Sequence, residues 1–371
     1  MALSASAPWV NFYGNTPKSI DYPRKTMYQL LSDTARRYPQ NIAYVCMGKE
    51  TAYATFLRRV DLAAKAFVAM GIHRGDRVTI CMPNSPQGVD CFYALNRIGA
   101  IPNMIHPLSA PHEIAFYLNA SHSKAILTLD QFYYKVEQIL PDLHDTCRII
   151  IAKIQDELPG MKKALFPLTK TARSVQKLPK TGYILWNDFL NAGRRSKKEL
   201  PPDEGKYDDC GAILYSGGTT GTTKGIMLSN LNFNALGLQT IAASGYTSVA
   251  GQFSVKLYAE ILKKQKPNLI PGVPTLFEAL LRADSLDGVD LSFLKGIFSG
   301  GDSLSPELKK KVDQFLKEHN CSEQIREGYG TTISLILPLQ PGLELRSGKL
   351  PSASADYFAR DSVLHTLLSD I

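Results

Sequence analysis

The run Tyr215-Ser216-Gly217-Gly218-Thr219-Thr220-Gly221-Thr222-Thr223-Lys224-Gly225 decides how this sequence is read. Eight consecutive residues, Ser216 to Thr223, are Gly, Ser or Thr, and one lysine follows them. The run comes after the apolar Ala212-Ile213-Leu214 and before a polar–apolar stretch that can be helical. Glycines let a backbone approach an anion closely and adopt positive φ. Successive N–H groups make an anion-binding concavity, hydroxyls add donors, and an ammonium adds charge with three donors. An ordinary strand-to-helix turn has a similar composition in short pieces, but eight such residues closed by Lys224-Gly225 point to contact with a polyphosphate. The run is not a Walker A element, which ends Gly-Lys-Ser/Thr; here Thr223 precedes the lysine and Gly225 follows it.

Two further stretches share this character. Phe298-Ser299-Gly300-Gly301-Asp302 lies between an apolar strand and the helix opened by Ser305-Pro306. A Gly-Gly at a strand end lets a flat ring approach the backbone, although a plain turn has the same composition. Glu327-Gly328-Tyr329-Gly330-Thr331-Thr332 follows.

In this order the three stretches resemble the signatures of the adenylate-forming superfamily, which includes acyl-CoA synthetases, firefly luciferase and the adenylation domains of peptide synthetases. The first loop matches that family's Ser/Thr-Gly/Ser-Gly-Thr-Thr-Gly-x-Pro-Lys-Gly pattern except at Thr223, where proline is usual. The resemblance implies that Ser216, Gly217, Gly218, Thr219, Thr220, Gly221 and Lys224 close on the β- and γ-phosphates of ATP. It implies that Gly300, Gly301 and Asp302 border adenine, that Tyr329, followed by Gly330, stacks on it, and that Thr332 touches the α-phosphate. Lys224 and Thr332 are thereby the catalytic candidates. The family's magnesium-binding glutamate falls at Ile333, and isoleucine cannot ligate a cation that takes oxygen ligands, so no metal ligand is assigned. Gly75-Asp76-Arg77-Val78, Pro83-Asn84-Ser85 and Gly99-Ala100-Ile101-Pro102 follow the order of the same superfamily's N-terminal core.

The first part of the chain reads as helices alternating with strands. Thr26 and Gln29 form a capping box for a helix stopped by Pro39. Residues 42–47 and 51–55 form a short hairpin, and a second helix ends at Gly71. Strands follow at 77–82, 125–129 and 148–152; helices start at Ser85-Pro86 and near Pro111. In the second half a helix ends near Lys266, a short buried strand lies at 267–271, and Ser305-Pro306 starts another helix. This alternation indicates α/β layering around a largely parallel sheet. With the resemblance, the expected fold is the N-terminal large domain of the adenylate-forming fold, layered αβαβα with two β-sheet subdomains. The expected divisions are an α/β subdomain at 1–150, a basic, irregular insertion or linker at 151–205, a nucleotide-binding subdomain at 206–332 and an atypical tail at 333–371.

The length of 371 residues allows two or three domains or subdomains with a sizeable core. No apolar run approaches the ~18 residues of a membrane span, and Met1 to Gly14 lacks the features of a secretory signal. The six cysteines are scattered, without Cys-x-x-Cys, against zinc and against a disulfide scaffold. A cytoplasmic location is expected. Residues 151–198 hold 11 basic and 3 acidic side chains and so carry the whole net charge of +8. A solvated surface excursion explains this, as does contact with anionic lipid headgroups or an anionic ligand. Nucleic acid does not, because no reader motif or interleaved aromatics accompany the charge.

The resemblance implies an AMP-forming ligase that joins a fatty acid to coenzyme A through an acyl-adenylate, with ATP, magnesium and coenzyme A as cofactors and co-substrates. An alternative is a binding protein: a catalytically impaired remnant that holds ATP or the acyl-adenylate. A kinase is opposed by the absence of a Walker A element and of a kinase catalytic loop. The chain departs from the family in two larger places. Gly245 to Gln252 stands where relatives have a histidine-bearing strand–helix–strand unit, so shortening near 251 is expected. From Ile333 to Ile371 the ribose-binding Thr-Gly-Asp, the hinge and the C-terminal lysine are missing, as a shifted reading frame or disrupted gene would give.

Overall fold

The computed structural model describes residues 17, 19–46, 49–169, 175, 177–215, 223–244, 255–300 and 303–327. The chain divides into two compact units, one of residues 23–233 and one of 1–22 with 234–371.

The first unit is built on seven strands: β3 (Arg77–Cys81), β4 (Ile101–Ile105), β5 (Ala125–Leu129), β6 (Arg148–Ala152), β7 (Ile184–Leu185), β8 (Cys210–Tyr215) and β9 (Gly225–Ser229). Their order across the sheet is β7-β6-β5-β3-β4-β8-β9. All neighbours pair in parallel except β9, which runs antiparallel to β8 at the edge. A separate hairpin, β1 (Ile42–Cys46) with β2 (Lys49–Ala52), precedes them. β5 is buried at every position, as expected of a parallel strand covered on both faces.

The helix boundaries follow from local chemistry. α1 (Met27–Arg37) starts at Thr26, whose Oγ1 accepts the Gln29 N–H at 3.1 Å while Gln29 Oε1 accepts the Thr26 N–H at 2.9 Å. α2 (Tyr53–Met70) stops at Gly71, which takes the left-handed φ of 89°. α3 (Pro86–Arg97) starts with proline after Ser85, whose Oγ accepts the Gly88 N–H at 3.3 Å. α4 (Pro111–Ser121) and α5 (Tyr133–Ile139) bury Ile114, Leu118, Val136 and Ile139 with Ile126, Ile149 and Ile151 of the sheet.

The segment expected to be an irregular linker also contributes to this unit. It includes α6 (Gly160–Leu165), β7 and α7 (Trp186–Arg195). β7 pairs with β6, and α7 packs on α2 through Phe189 and Phe67, whose ring centroids are 4.8 Å apart. A Cβ on Gly193 would lie 2.8 Å from the Ala66 backbone nitrogen, so only glycine allows this approach of α7 to α2. The lysines and prolines around it in residues 151–205 hid an amphipathic helix that buries Trp186 and Phe189. The division expected at 205 is displaced too: β8 pairs with β4 and β9 with β8, so the first unit runs to Phe233.

The second unit has a parallel sheet in the order β10 (Leu269–Gly272), β11 (Gly296–Ser299), β12 (Ile325–Glu327). It packs with α9 (Val255–Gln265), α10 (Pro274–Leu280) and α11 (Pro306–Glu318) around Tyr258, Leu262, Phe277, Leu294, Ile297 and Leu316. Before them α8 (Asn230–Ser244) follows directly on β9. The tail from 328 onward lies outside the described residues.

Candidate nucleotide site

The glycine-rich run is the connection of the β8–β9 hairpin. Tyr215, the last residue of β8, is the register partner of Gly225, the first of β9. The run therefore leaves from the C-terminal edge of the sheet, where open α/β sheets bind ligands. Residues 216–222, which include Ser216, Gly217, Gly218, Thr219, Thr220 and Gly221, lie outside the described residues. Lys224 is described and exposed at the hairpin exit, beside the partly buried Thr223.

Beneath Tyr215 lies a network of small polar side chains. Asn103 Nδ2 donates to Thr79 Oγ1 at 2.9 Å and to Ser121 Oγ at 3.1 Å. The Ser121 and Ser123 hydroxyls are 2.7 Å apart, and so are those of Thr79 and Ser123. The Tyr215 hydroxyl donates to the Tyr117 carbonyl at 3.3 Å, and burial raises its phenol despite the Asn103 and Ser121 side chains, which lower it. Apart from Tyr215, these residues were not singled out in the sequence, being ordinary types about a hundred positions from the loop. The trace they leave is polar residues inside apolar strands: Asn103 in β4 and Thr79 in β3, both fully buried.

In the second unit the two remaining motifs leave adjacent strands at one level. Gly272, Ser299 and Glu327 are register partners across β10, β11 and β12. Gly300 follows β11 and donates its N–H to the Gly272 carbonyl at 2.9 Å. The Glu327 carboxylate accepts the Leu304 N–H at 3.0 Å, tying the end of β12 to the approach of α11. The sheet thus brings together the starts of both motifs at its C-terminal edge. Gly301, Asp302, Tyr329, Gly330, Thr332 and Ile333 lie outside the described residues.

The sequence profile of a family described as AMP-binding enzyme matches residues 31–252 and 237–338. The chain belongs to this family. The chain is 30% identical to a long-chain-fatty-acid–CoA ligase of Bacillus subtilis (strain 168), over 88% of its own length and 64% of the relative's. It is 27% identical to the long-chain-fatty-acid–CoA ligase of Escherichia coli O157:H7, over 87% of this chain and 64% of that one. Among solved structures, a long-chain-fatty-acid–CoA ligase from Archaeoglobus fulgidus superposes with a TM-score of 0.65 at 20% identity, covering 83% of this chain and 64% of that one. A luciferase-like enzyme from the mealworm Zophobas morio gives 0.66 at 18% identity, covering 85% and 74%. These superpositions establish the α/β fold of the AMP-binding enzymes. The chain spans about 64% of the length of the curated relatives it matches.

The two profile segments meet at 237–252, where the sequence places a missing strand–helix–strand unit. The alignment with the B. subtilis ligase agrees with a shortened interior. It runs over 365 positions, whereas 88% of 371 residues is about 326, so about 40 positions have no counterpart inside the aligned part of this chain.

Among the described residues no group of three or more His, Cys, Asp and Glu side chains could hold a metal. Ile333, at the position of the family's magnesium-binding glutamate, lies outside the described residues, and an isoleucine side chain has no oxygen to offer a magnesium ion. Among the described residues no helix is long and apolar enough to cross a membrane.

Proposed function

We propose that this chain binds ATP at the β8–β9 loop and activates a fatty acid as its acyl-adenylate, for transfer to coenzyme A. The observation that carries the reading is the placement of Lys224: at the exit of a Gly/Ser/Thr run that leaves a strand end of a largely parallel sheet, in a member of the AMP-binding enzyme family. In this chemistry a carboxylate oxygen forms a bond to the α-phosphorus as the bond from that phosphorus to the bridging oxygen breaks, and pyrophosphate leaves. The thiolate of coenzyme A then attacks the acyl carbon and AMP departs. Lys224 and the loop N–H groups would orient the leaving phosphates and offset their charge. Gly300, Gly301, Asp302 and Tyr329 would receive the base, and Thr332 the α-phosphate. Magnesium would enter with the nucleotide phosphates. The fatty-acid substrate is carried over from the ligases that this chain resembles.

Ile333 favours a second reading, in which ATP or an acyl-adenylate is held without turnover. Measuring pyrophosphate release beside direct ATP binding separates the two. Release that depends on a fatty acid supports the ligase, and binding without release supports the second reading. A chain that neither binds ATP nor releases pyrophosphate refutes both.

We also propose peripheral contact with an anionic membrane through 151–198. Leu165 and Leu168 are 53% and 69% exposed on α6 and just after it, in a stretch that includes Lys162, Lys163 and Lys170. The basic residues Arg194, Arg195, Lys197 and Lys198 are exposed as well, at and beyond the end of α7.

A further inference from the structure

The position of Lys224 depends on how the last rung of the β8–β9 hairpin is held. Tyr215 rests on its partner: a Cβ on Gly225 would lie 3.2 Å from Cε1 of Tyr215 and 3.3 Å from Cγ2 of Ile213. The same Tyr215 ring stacks on Tyr117 of α4, with centroids 4.2 Å apart and planes tilted by 36°. The Tyr215 hydroxyl also donates to the Tyr117 carbonyl at 3.3 Å. Tyr117 is buried; burial and then Glu113 raise its phenol, and the Thr223 side chain acts the other way and lowers it. Thr223 is the residue that stands where the family's signature has proline. A proline fixes its own φ and narrows the backbone's freedom; a threonine does neither, but it offers a hydroxyl that a neighbour can hold.

We propose that Tyr117 is a positioning residue for Lys224: its ring fixes the Tyr215–Gly225 rung, and its hydroxyl restrains Thr223 in place of the missing proline ring. That the positioned lysine meets a nucleotide phosphate rests on the function proposed above; the restraint itself does not.

The test uses the full chain with Tyr117→Leu, Tyr117→Phe, Thr223→Pro and the double variant Tyr117→Phe/Thr223→Pro. Amide hydrogen exchange is read at Tyr215 and at Thr223 to Met227, with β3 and β5 as the control for intact folding. Tyr117→Leu removes stack and hydroxyl together, and exchange at the rung rises about tenfold while the control strands stay protected. Tyr117→Phe keeps the stack. It speeds exchange at Gly225 and weakens ATP binding about fivefold with Thr223 present, and does neither in the Thr223→Pro background. Unchanged rung exchange in Tyr117→Leu overturns the role of the ring. An equal effect of Tyr117→Phe in both backgrounds overturns the role of the hydroxyl. If Tyr117→Leu does not fold, the Tyr117→Phe and Thr223→Pro variants decide. If the unmodified chain binds no ATP, the proposed function fails, and the exchange data still decide the restraint.

Discussion

The side chains of Asn96 and Asn230, 134 positions apart, are joined by a hydrogen bond of 2.7 Å from Asn96 Nδ2 to Asn230 Oδ1. Asn230 Oδ1 also accepts the Met27 N–H at 3.2 Å, and its Nδ2 donates to the carbonyls of Lys206 and Asp209. Asn96 in turn accepts the Tyr28 N–H at 2.9 Å. One pair of buried amides thus fastens the start of α1 and the end of α3 to the two ends of the β8–β9 hairpin.

Replacing Asn230 by leucine leaves several of these groups buried without partners. The expected loss is about 3 kcal/mol of unfolding free energy, since each orphaned group costs about 1–3 kcal/mol. Urea denaturation followed by fluorescence measures it. An unchanged midpoint would show that water or a rearranged chain satisfies the same groups.

Lys224→Ala is expected to weaken ATP binding about 30-fold, in keeping with the loss of one charge-assisted contact of about 2 kcal/mol. Its thermal stability should not change, because the Lys224 side chain is exposed. Titration calorimetry and a melting curve on the same preparation check both halves. Equal affinity for the two proteins would remove Lys224 from the site.

Asp90 supplies a pH dependence. Its carboxylate is 1% exposed, receives Arg59 Nε at 2.7 Å on Oδ2, and leaves Oδ1 without a partner. Burial pushes it up to about 7, against the pull of Arg59; Glu157 adds to the rise and Lys49 opposes it. For Glu157 burial also acts upward, but Arg59 and then Lys49 outweigh it and hold the carboxyl below its ordinary 4.5. The two signs separate by pH. Between 3.8 and about 7 the folded chain keeps a proton on Asp90 that the unfolded chain has lost, so this contribution to stability declines as pH rises. The Glu157 contribution has the opposite sign: it is present above 4.5 and lost as pH falls below it. From pH 5 to 8 the unmodified protein should therefore lose roughly 2 kcal/mol more than Asp90→Asn. Denaturation at pH 5, 6, 7 and 8 tests this, and parallel curves for the two proteins would refute it.

For the membrane contact, Leu165→Asp/Leu168→Asp should lower binding to vesicles of phosphatidylglycerol and phosphatidylcholine about tenfold, by removing apolar area and placing two negative charges beside the lysines. Sedimentation with vesicles provides the measurement. Equal binding by the variant, or binding to pure phosphatidylcholine as well as to the mixture, would refute an anionic-surface contact through this tip.

Much of the first sheet was legible because its elements are specified locally. Thr26 with Gln29, Ser85 with Pro86 and Gly71 each mark a helix end by a contact within a few residues, and 77–82, 125–129 and 148–152 are apolar enough to read as strands. β9 was not legible. Gly225 to Ser229 is a short, half-exposed strand whose one partner among the described residues is β8, and its pairing depends on what Tyr215 meets across the hairpin. α7 escaped for a related reason: Phe67 and Ala66, against which Phe189 and Gly193 pack, lie more than a hundred positions earlier; β7 is a two-residue strand that exists only through its pairing with β6. At the candidate site, the residues proposed to meet phosphate or a base are marked by composition. Tyr117 and Asn103, which hold the base of the loop, are placed there only by the fold.

The strand order also sets a timetable. After β4 is made, the chain adds β5, β6 and β7 on the far side of β3, and only then returns with β8 and β9 to the free side of β4. About 120 residues separate Ile105 from Ser229, which at ordinary rates of synthesis is roughly 10 s on the ribosome. Throughout that interval β4 is an open edge with Ile101 and Ile105 in it, a template for any other strand that arrives first. The hairpin that carries the glycine-rich loop is therefore also the cover that ends this exposure, and mutations that delay its docking should appear first as insoluble protein during expression.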